Sequence, residues 1–228
     1  MLLSFQKIIP RAGDAQSFVF TTSEPVMWQP GQYTHFFLKH DNADDRGDER
    51  WFTVSSAPSE GMVMITTRIN HEHSSTFKQQ LVALKPGDHI EADTPEGDFV
   101  VDDPARQMIF VAGGIGVTPY RSILKEADAT GQKLHVTLLY ASRDENIVFK
   151  EELDEFASRN PNLVIDYILP PRILNAELLK QAIAAVENPL VYLSGPEPMI
   201  EDLEEIVQGF GLSSENIKTD FFPGYEAV

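Results

Sequence analysis

The sequence predicts two domains: an antiparallel β-barrel over residues 1–103, followed by an α/β domain over residues 104–228 built on a parallel five-stranded sheet. Short β-rich runs broken by turn residues fill the first part. In the second, apolar β-runs alternate with helical stretches, the pattern of parallel strands joined by right-handed crossovers. The texture changes at Asp102-Asp103-Pro104, and a chain of 228 residues that is 42% hydrophobic can furnish two cores of this size.

Ser17–Thr21, Tyr33–Leu38, Trp51–Val54 and Met62–Thr67 read as strands because β-branched and aromatic residues dominate them. Pro30-Gly31, Pro86-Gly87 and Pro95-Glu96-Gly97 mark turns, and a short helix fits Thr76–Ala83. The Asp-rich stretch His40–Glu49 has no Gly at the sixth position of a calcium loop, so it reads as a solvated loop. Beyond the boundary, Met108–Ala112, Leu134–Tyr140, Leu163–Leu169, Leu190–Leu193 and Ile217–Phe222 are the expected strands. Tyr120–Ala129, Phe149–Ser158, Ala176–Val186 and Met199–Phe210 carry apolar residues at helical spacing.

Lys plus Arg number 18 against 35 Asp plus Glu, a net charge of −17. Phosphate backbones and anionic membrane surfaces are repelled by such a chain, so nucleic acid is not an expected partner. No window approaches the ~20 apolar residues of a membrane helix, and Met1–Phe5 lacks the basic flank and long apolar run of a signal peptide. No membrane insertion and a cytoplasmic location are expected. The absence of Cys removes thiolate nucleophiles, cysteine zinc sites and cysteine-ligated clusters together. Redox chemistry then requires an organic cofactor or a metal held by other ligands. The trio His71-Glu72-His73 has no clear third ligand, and no metal is expected.

Some segments can carry chemistry. In Val111–Pro119 a strand runs into Gly113, Gly114 and Gly116 and then into a helix, with Thr118 placed as N-cap and Pro119 at the first helical position. Such a start offers N–H groups and a positive dipole end to a phosphate, or serves as a bare packing turn. The three-glycine dinucleotide fingerprint is not met, since Pro119 stands where its last glycine belongs. A second strand runs into Ser194-Gly195-Pro196 and opens a helix. Two such turns at the carboxyl ends of parallel strands line one crevice, although Ser194 also reads as a plain cap. Neither a nucleophile elbow nor a phosphate-loop lysine is present, so hydrolase and nucleotide-triphosphatase chemistry lack their motifs. In the first domain, alternation along Arg50–Ser56 puts Arg50, Phe52 and Val54 on one face and Trp51, Thr53 and Ser55 on the other. Ser75 or Thr76 caps the short helix and exposes its N–H groups to an anion.

Taken in order, these segments resemble the ferredoxin–NADP reductase family of flavoproteins over nearly the whole chain. The family's Arg-x-Tyr-Ser strand stands here as Arg50-Trp51-Phe52-Thr53. The resemblance implies that Arg50 binds flavin phosphate, Phe52 packs on the isoalloxazine and Thr53 lies near the flavin's reactive nitrogen. Trp51 and Arg68 count among the cofactor-binding residues, and Ser75 and Thr76 form the phosphate loop. Pro95–Phe99 resembles the turn that closes the barrel. Gly113, Gly114, Gly116, Thr118 and Pro119 match the nicotinamide-cofactor pyrophosphate loop. The family's Cys-Gly-Pro appears as Ser194-Gly195-Pro196, and a serine still positions a nicotinamide ring, since hydride transfer needs alignment of donor and acceptor.

The family's phosphate-selective Ser-Arg pair corresponds to Pro171-Arg172, which keeps the cation and loses the hydroxyl, so NADH is slightly preferred over NADPH. Asp220 and Phe222 match the carboxylate and the flavin-covering aromatic of the family's last strand, whereas Phe221 points oppositely into core and Pro223 breaks the strand. The implied function is hydride transfer from NADH or NADPH to bound FAD, with FMN as the lesser choice, and electron delivery to an acceptor the sequence does not identify. The alternative is a non-catalytic flavin-binding electron-transfer subunit or redox sensor.

Overall fold

The computed structural model describes residues 1–41, 43–70 and 74–222, the Phe222 side chain excepted. β1 (Leu2–Pro10) and β2 (Ala15–Thr22) pair antiparallel, with a register shift between Phe5 and Lys7 that marks a bulge. β3 (Tyr33–Phe37), β4 (Glu49–Thr53) and β5 (Val63–Arg68) follow, then α1 (Thr76–Ala83) and β6 (His89–Ala92). The sheet has six strands in the order β4-β3-β6-β1-β2-β5, every pair antiparallel. Its ends approach each other just after β4: the Ser55 N–H donates to the Met64 carbonyl at 2.8 Å and the Ser55 hydroxyl to the same oxygen at 3.0 Å. The sheet thus curls into the expected barrel, although β1 and β6 were not among the expected strands. Phe18, Phe20, Phe36 and Ile65 fill it, and α1 buries Phe77 and Leu81 against the same core.

The second sheet has β7 (Gln107–Gly113), β8 (His135–Ala141), β9 (Leu163–Ile168), β10 (Leu190–Pro196) and β11 (Ile217–Phe222). Its order is β11-β10-β7-β8-β9, all pairs parallel. α2 (Thr118–Thr130), α3 (Lys150–Arg159), α4 (Ala176–Ala184) and α5 (Glu197–Gly209) cover it. Successive residues of β7 enter opposite layers: Met108 and Phe110 join Tyr120 and Tyr192, whereas Ile109 and Val111 join Leu179 and Leu203. That is the consequence of period-two strands in a sheet covered on both faces.

The two sheets are tied by buried contacts. Phe99 packs on Tyr120 and Tyr192, with ring centroids 5.6 and 5.3 Å away. Arg121, only 3% exposed, donates to the Ser55 carbonyl at 3.0 Å, to Glu60 at 2.9 Å and to Glu152 at 2.7 Å. The Ser122 hydroxyl donates to the Ser56 carbonyl at 2.7 Å. The guanidiniums of Arg11 (4.9 Å) and Arg121 (5.6 Å) both approach the Phe149 ring. Lys218 reaches the carbonyls of Asp98 and Val100, both at 2.8 Å. Among the described residues no helix is long and apolar enough to cross a membrane, and no group of His, Asp and Glu is arranged to hold a metal. His71-Glu72-His73 and the tail from Pro223 lie outside the described residues.

Candidate functional site

Arg50 is 8% exposed and aimed at the start of α1, its guanidinium carbon 5.5 Å from the centre of the Phe77 ring. Nη1 donates to the carbonyls of Arg46 (2.6 Å), Gly47 (3.1 Å) and Glu49 (2.6 Å), while Nη2 donates to Asp44 at 3.0 Å. Nε is buried and has no partner among the described residues. The Ser74 hydroxyl, just ahead of α1, is buried and unpartnered in the same way. Ser75 is the N-cap of α1 and accepts from the Lys78 N–H at 3.4 Å. Thr76 is the first helical residue; its N–H donates to Asp44 at 2.8 Å, and its hydroxyl oxygen accepts from the Asp44 N–H at 3.0 Å. Arg50 and Thr76 therefore meet through the Asp44 carboxylate, with Ser74 and Ser75 just ahead of them at the start of α1.

The stretch His40–Glu49 is consequently not a plain solvated loop, because its carbonyls wrap the Arg50 guanidinium. The turn that makes this possible is visible in the sequence as Asp44-Asp45-Arg46-Gly47, where the Gly47 N–H closes on the Asp44 carbonyl at 2.9 Å. Phe52 packs between Phe36 and Phe77, at 5.8 and 5.9 Å. Trp51 faces away from them, 52% exposed and stacked on His35 at 4.2 Å. Arg68 also turns elsewhere, to Asp14 at 2.6 Å.

A second cluster lies between the sheets. Thr53 from β4 and Ser194 from β10, both buried, bring their hydroxyls to Asp220 Oδ2 of β11, at 3.4 and 3.3 Å. Asp220 keeps part of its surface in contact with solvent. Even so, the protein around its carboxyl removes enough water to push its pKa up to about 7, against the lowering effect of the Ser194 and Thr53 hydrogen bonds. The neighbouring Tyr120 hydroxyl is raised well above its ordinary value, first by burial and then by the Asp220 charge. The Phe222 backbone pairs with Pro196, but its side chain lies outside the described residues. Phe221 is 51% exposed: β11 is an edge strand, so the face expected to be core has no layer over its end.

The two turns pack on each other. A Cβ on Gly116 would sit 2.2 Å from the Ser194 carbonyl oxygen, and one on Gly195 would sit 3.2 Å from the Gly113 Cα. A Cβ on Gly113 would meet the Met199 sulfur at 2.5 Å. Gly114 has φ +55°, which favours glycine. Residues 111–124 are all buried, so close packing is itself a reason for these glycines. Thr118, expected as N-cap, is instead the first helical residue of α2 after a 3₁₀ turn over Gly114–Val117, and Pro119 stands second. Arg172 makes a two-pronged pair with Asp166, at 2.9 and 2.7 Å, away from both clusters.

Residues 110–205 match the family described as an oxidoreductase NAD-binding domain. Among known proteins, the chain is 24% identical over 233 residues to the glycine betaine monooxygenase reductase subunit of Pseudomonas aeruginosa (strain UCBPP-PA14), covering 95% of this chain and 62% of the relative. It is 26% identical over 241 residues to the ferredoxin reductase component of 3-ketosteroid-9-alpha-monooxygenase from Mycolicibacterium smegmatis, covering 99% of this chain and 66% of the relative. The chain thus spans less than two thirds of these curated relatives' lengths. In fold it is similar to the Amycolatopsis cytochrome P450 reductase GcoB (TM-score 0.82, 20% identity, 98% of this chain and 70% of that one). The Plasmodium falciparum ferredoxin-NADP+ reductase is also similar (TM-score 0.81, 16% identity, 97% and 95% covered). The barrel and the parallel sheet together therefore have the fold of the ferredoxin-NADP+ reductases, and residues 110–205 within it match the oxidoreductase NAD-binding domain.

Proposed function

We propose that this chain is an FAD-dependent NAD(P)H oxidoreductase that passes electrons to an acceptor protein, with a flavin-binding domain over residues 1–103 and a nicotinamide-nucleotide domain over 104–228. The observation that carries the reading is the Nε of the buried Arg50 beside the start of α1, which has no partner among the described residues. A buried donor without an acceptor costs about 1–3 kcal/mol, and a phosphate there supplies the missing acceptor. Arg50, Ser74, Ser75 and Thr76 would hold the phosphates, and Phe52 would offer its ring to the isoalloxazine. FMN carries the same first phosphate and is the lesser choice. When bound, the flavin supplies the conversion of a two-electron hydride into single electrons.

The chain's own residues orient and exclude water. Thr53, Ser194 and Asp220 meet where the two domains touch, so Gly195-Pro196 and the turn from Gly113 to Pro119 would hold a nicotinamide nucleotide at that junction. Asp220, with a pKa of about 7, holds or releases a proton at Oδ2 near neutral pH. Arg172 is already neutralised by Asp166, which supports NADH over NADPH. The names of the relatives, reductase components of monooxygenases, support a partner oxygenase or its ferredoxin as acceptor.

The test is the absorption spectrum of the purified protein, identification of the released chromophore, and bleaching by NADH without oxygen. A yellow protein that releases FAD and turns over NADH with an artificial acceptor is expected. A colourless protein that takes up neither FAD nor FMN overturns the reading, and a flavin that NADH leaves oxidised favours a non-catalytic subunit.

A further inference from the structure

Asp44 holds an unusual place in the Arg50 cradle. Its Oδ2 accepts from the Thr76 N–H of α1 at 2.8 Å, and its Oδ1 accepts from Arg50 Nη2 at 3.0 Å and from the Arg46 N–H at 3.0 Å. A helix-terminal N–H and a guanidinium are the donors an anion takes at such a place. Burial would raise the Asp44 pKa, but these hydrogen bonds hold it below the ordinary value, so it is a carboxylate. Resting on the flavin reading above, we propose that the Asp44 carboxylate occupies the phosphate seat as an internal anion, and that a cofactor diphosphate binds by displacing it.

The way Arg50 is held makes such an exchange possible. Its Nη1 is fixed by the carbonyls of Arg46, Gly47 and Glu49, whichever anion faces Nη2. The guanidinium, 8% exposed, therefore stays aimed at α1 while one anion replaces another. Without Asp44 the cofactor-free protein would carry a buried cation with no counter-charge, which is strongly destabilising. With Asp44 the cation is balanced in both states, and the carboxylate competes with the cofactor. Asp44 itself is only partly buried, in a loop that also carries Asp41, Asp45, Asp48 and Glu49, so leaving the seat returns it to water. Diphosphate gains more than it loses because it also offers acceptors to Arg50 Nε and the Ser74 hydroxyl, which the Asp44 carboxylate leaves unpartnered.

The alternative is that Asp44 positions Arg50 and stays in place beside the cofactor, in which case removing it weakens binding. Titrating cofactor-free protein with FAD and, separately, with inorganic pyrophosphate distinguishes the two. Asp44→Asn and Asp44→Ala are expected to bind both about tenfold more tightly, roughly 1.4 kcal/mol, and to melt at lower temperature when cofactor-free. Asp45→Asn, which removes the same charge from an exposed neighbour, is expected to leave both affinities unchanged. Weaker or unchanged binding in both Asp44 variants overturns the proposal, and so does an equal gain in Asp45→Asn, which would make the effect one of bulk charge. If the wild type binds no flavin, the functional reading fails, while the pyrophosphate titration still decides the role of Asp44.

Discussion

Thr53 at the end of a barrel strand and Asp220 on the last strand of the parallel sheet meet across the domain boundary, with 3.4 Å between the hydroxyl and Oδ2. Ser194 comes to the same oxygen at 3.3 Å. Two neutral donors do not repay the carboxylate for the water it loses, which is why its pKa rises to about 7 from 3.8. Between these values the folded chain binds a proton that the unfolded chain releases, so stability falls as pH rises through this window and is flat above it. Asp220→Asn removes that dependence. The variant is expected to exceed the wild type by about 2 kcal/mol at pH 8, after discounting for the partial exposure of the group, and to match it near pH 4. Urea denaturation at both pH values checks this; a wild type that loses nothing relative to the variant between them would refute it.

Arg121 is the charge on which the domain contact turns, because its partners Ser55 and Glu60 belong to the barrel and Glu152 to α3. Arg121→Met keeps much of the volume and strands a half-buried carboxylate and a buried carbonyl, an expected cost of about 3–5 kcal/mol at pH 7. Burial would raise the Glu60 pKa, but Arg121 holds it below the ordinary value, so this stabilisation exists above the unfolded carboxyl pKa and is lost as pH falls through the folded one. The deficit should therefore shrink in acid, and Glu60→Gln added to Arg121→Met should recover part of it. A deficit that is the same at pH 7 and at pH 3 would show that packing alone is lost.

How far the sequence could be read depended on whether a feature was local. The helix over Thr76–Ala83 and the strand over Ile217–Phe222 have the residue types that specify them within their own span. β1 shows Leu3 and Phe5 in alternation, but the shift between Phe5 and Lys7 breaks the period of two, and β6 offers only Ile90 and Ala92 as buried positions. The Arg50 strand was legible because its alternation is local. Asp44 was not, since its partner Thr76 lies 32 positions away and an acidic loop usually faces water. Arg121 sits in an ordinary helical pattern, and only its contacts with Ser55 and Glu60, more than 60 positions away, make it a buried ion.

Gly116 separates a packing requirement from a conformational one. A Cβ there would lie 2.2 Å from the Ser194 carbonyl oxygen, which is backbone and cannot swing aside. Gly116→Ala is expected to push the two turns apart, costing about 1–3 kcal/mol and weakening nicotinamide-nucleotide binding at the same time. Gly131→Ala meets nothing within 4 Å but has φ +74°, so it should cost about 1–2 kcal/mol and leave nucleotide binding untouched. Thermal melts with and without nucleotide compare the two. Equal effects on binding would remove the special role of the turn contact.

The choice between nicotinamide cofactors should be set at Asp166. Arg172 donates through Nη1 and Nη2 to both oxygens of that carboxylate, at 2.9 and 2.7 Å, in the fork geometry a 2′-phosphate would use. A phosphate reaching Arg172 must therefore break a formed pair and approach Asp166 at close range. Arg172 is half-exposed and Asp166 somewhat less so, and the pair itself contributes little stability, so removing the acid should not unfold the chain. Asp166→Asn leaves the side-chain volume nearly unchanged while freeing the guanidinium. The ratio of kcat/KM for NADPH to that for NADH is expected to rise about tenfold, roughly 1.4 kcal/mol. Removing any carboxylate from so acidic a protein also favours the more highly charged cofactor, and the double variant Asp166→Asn/Arg172→Ala controls for that. If the gain requires Arg172, the double variant falls back to the wild-type ratio; if it keeps the gain, general charge is responsible and the assignment of Arg172 to the 2′-phosphate is lost.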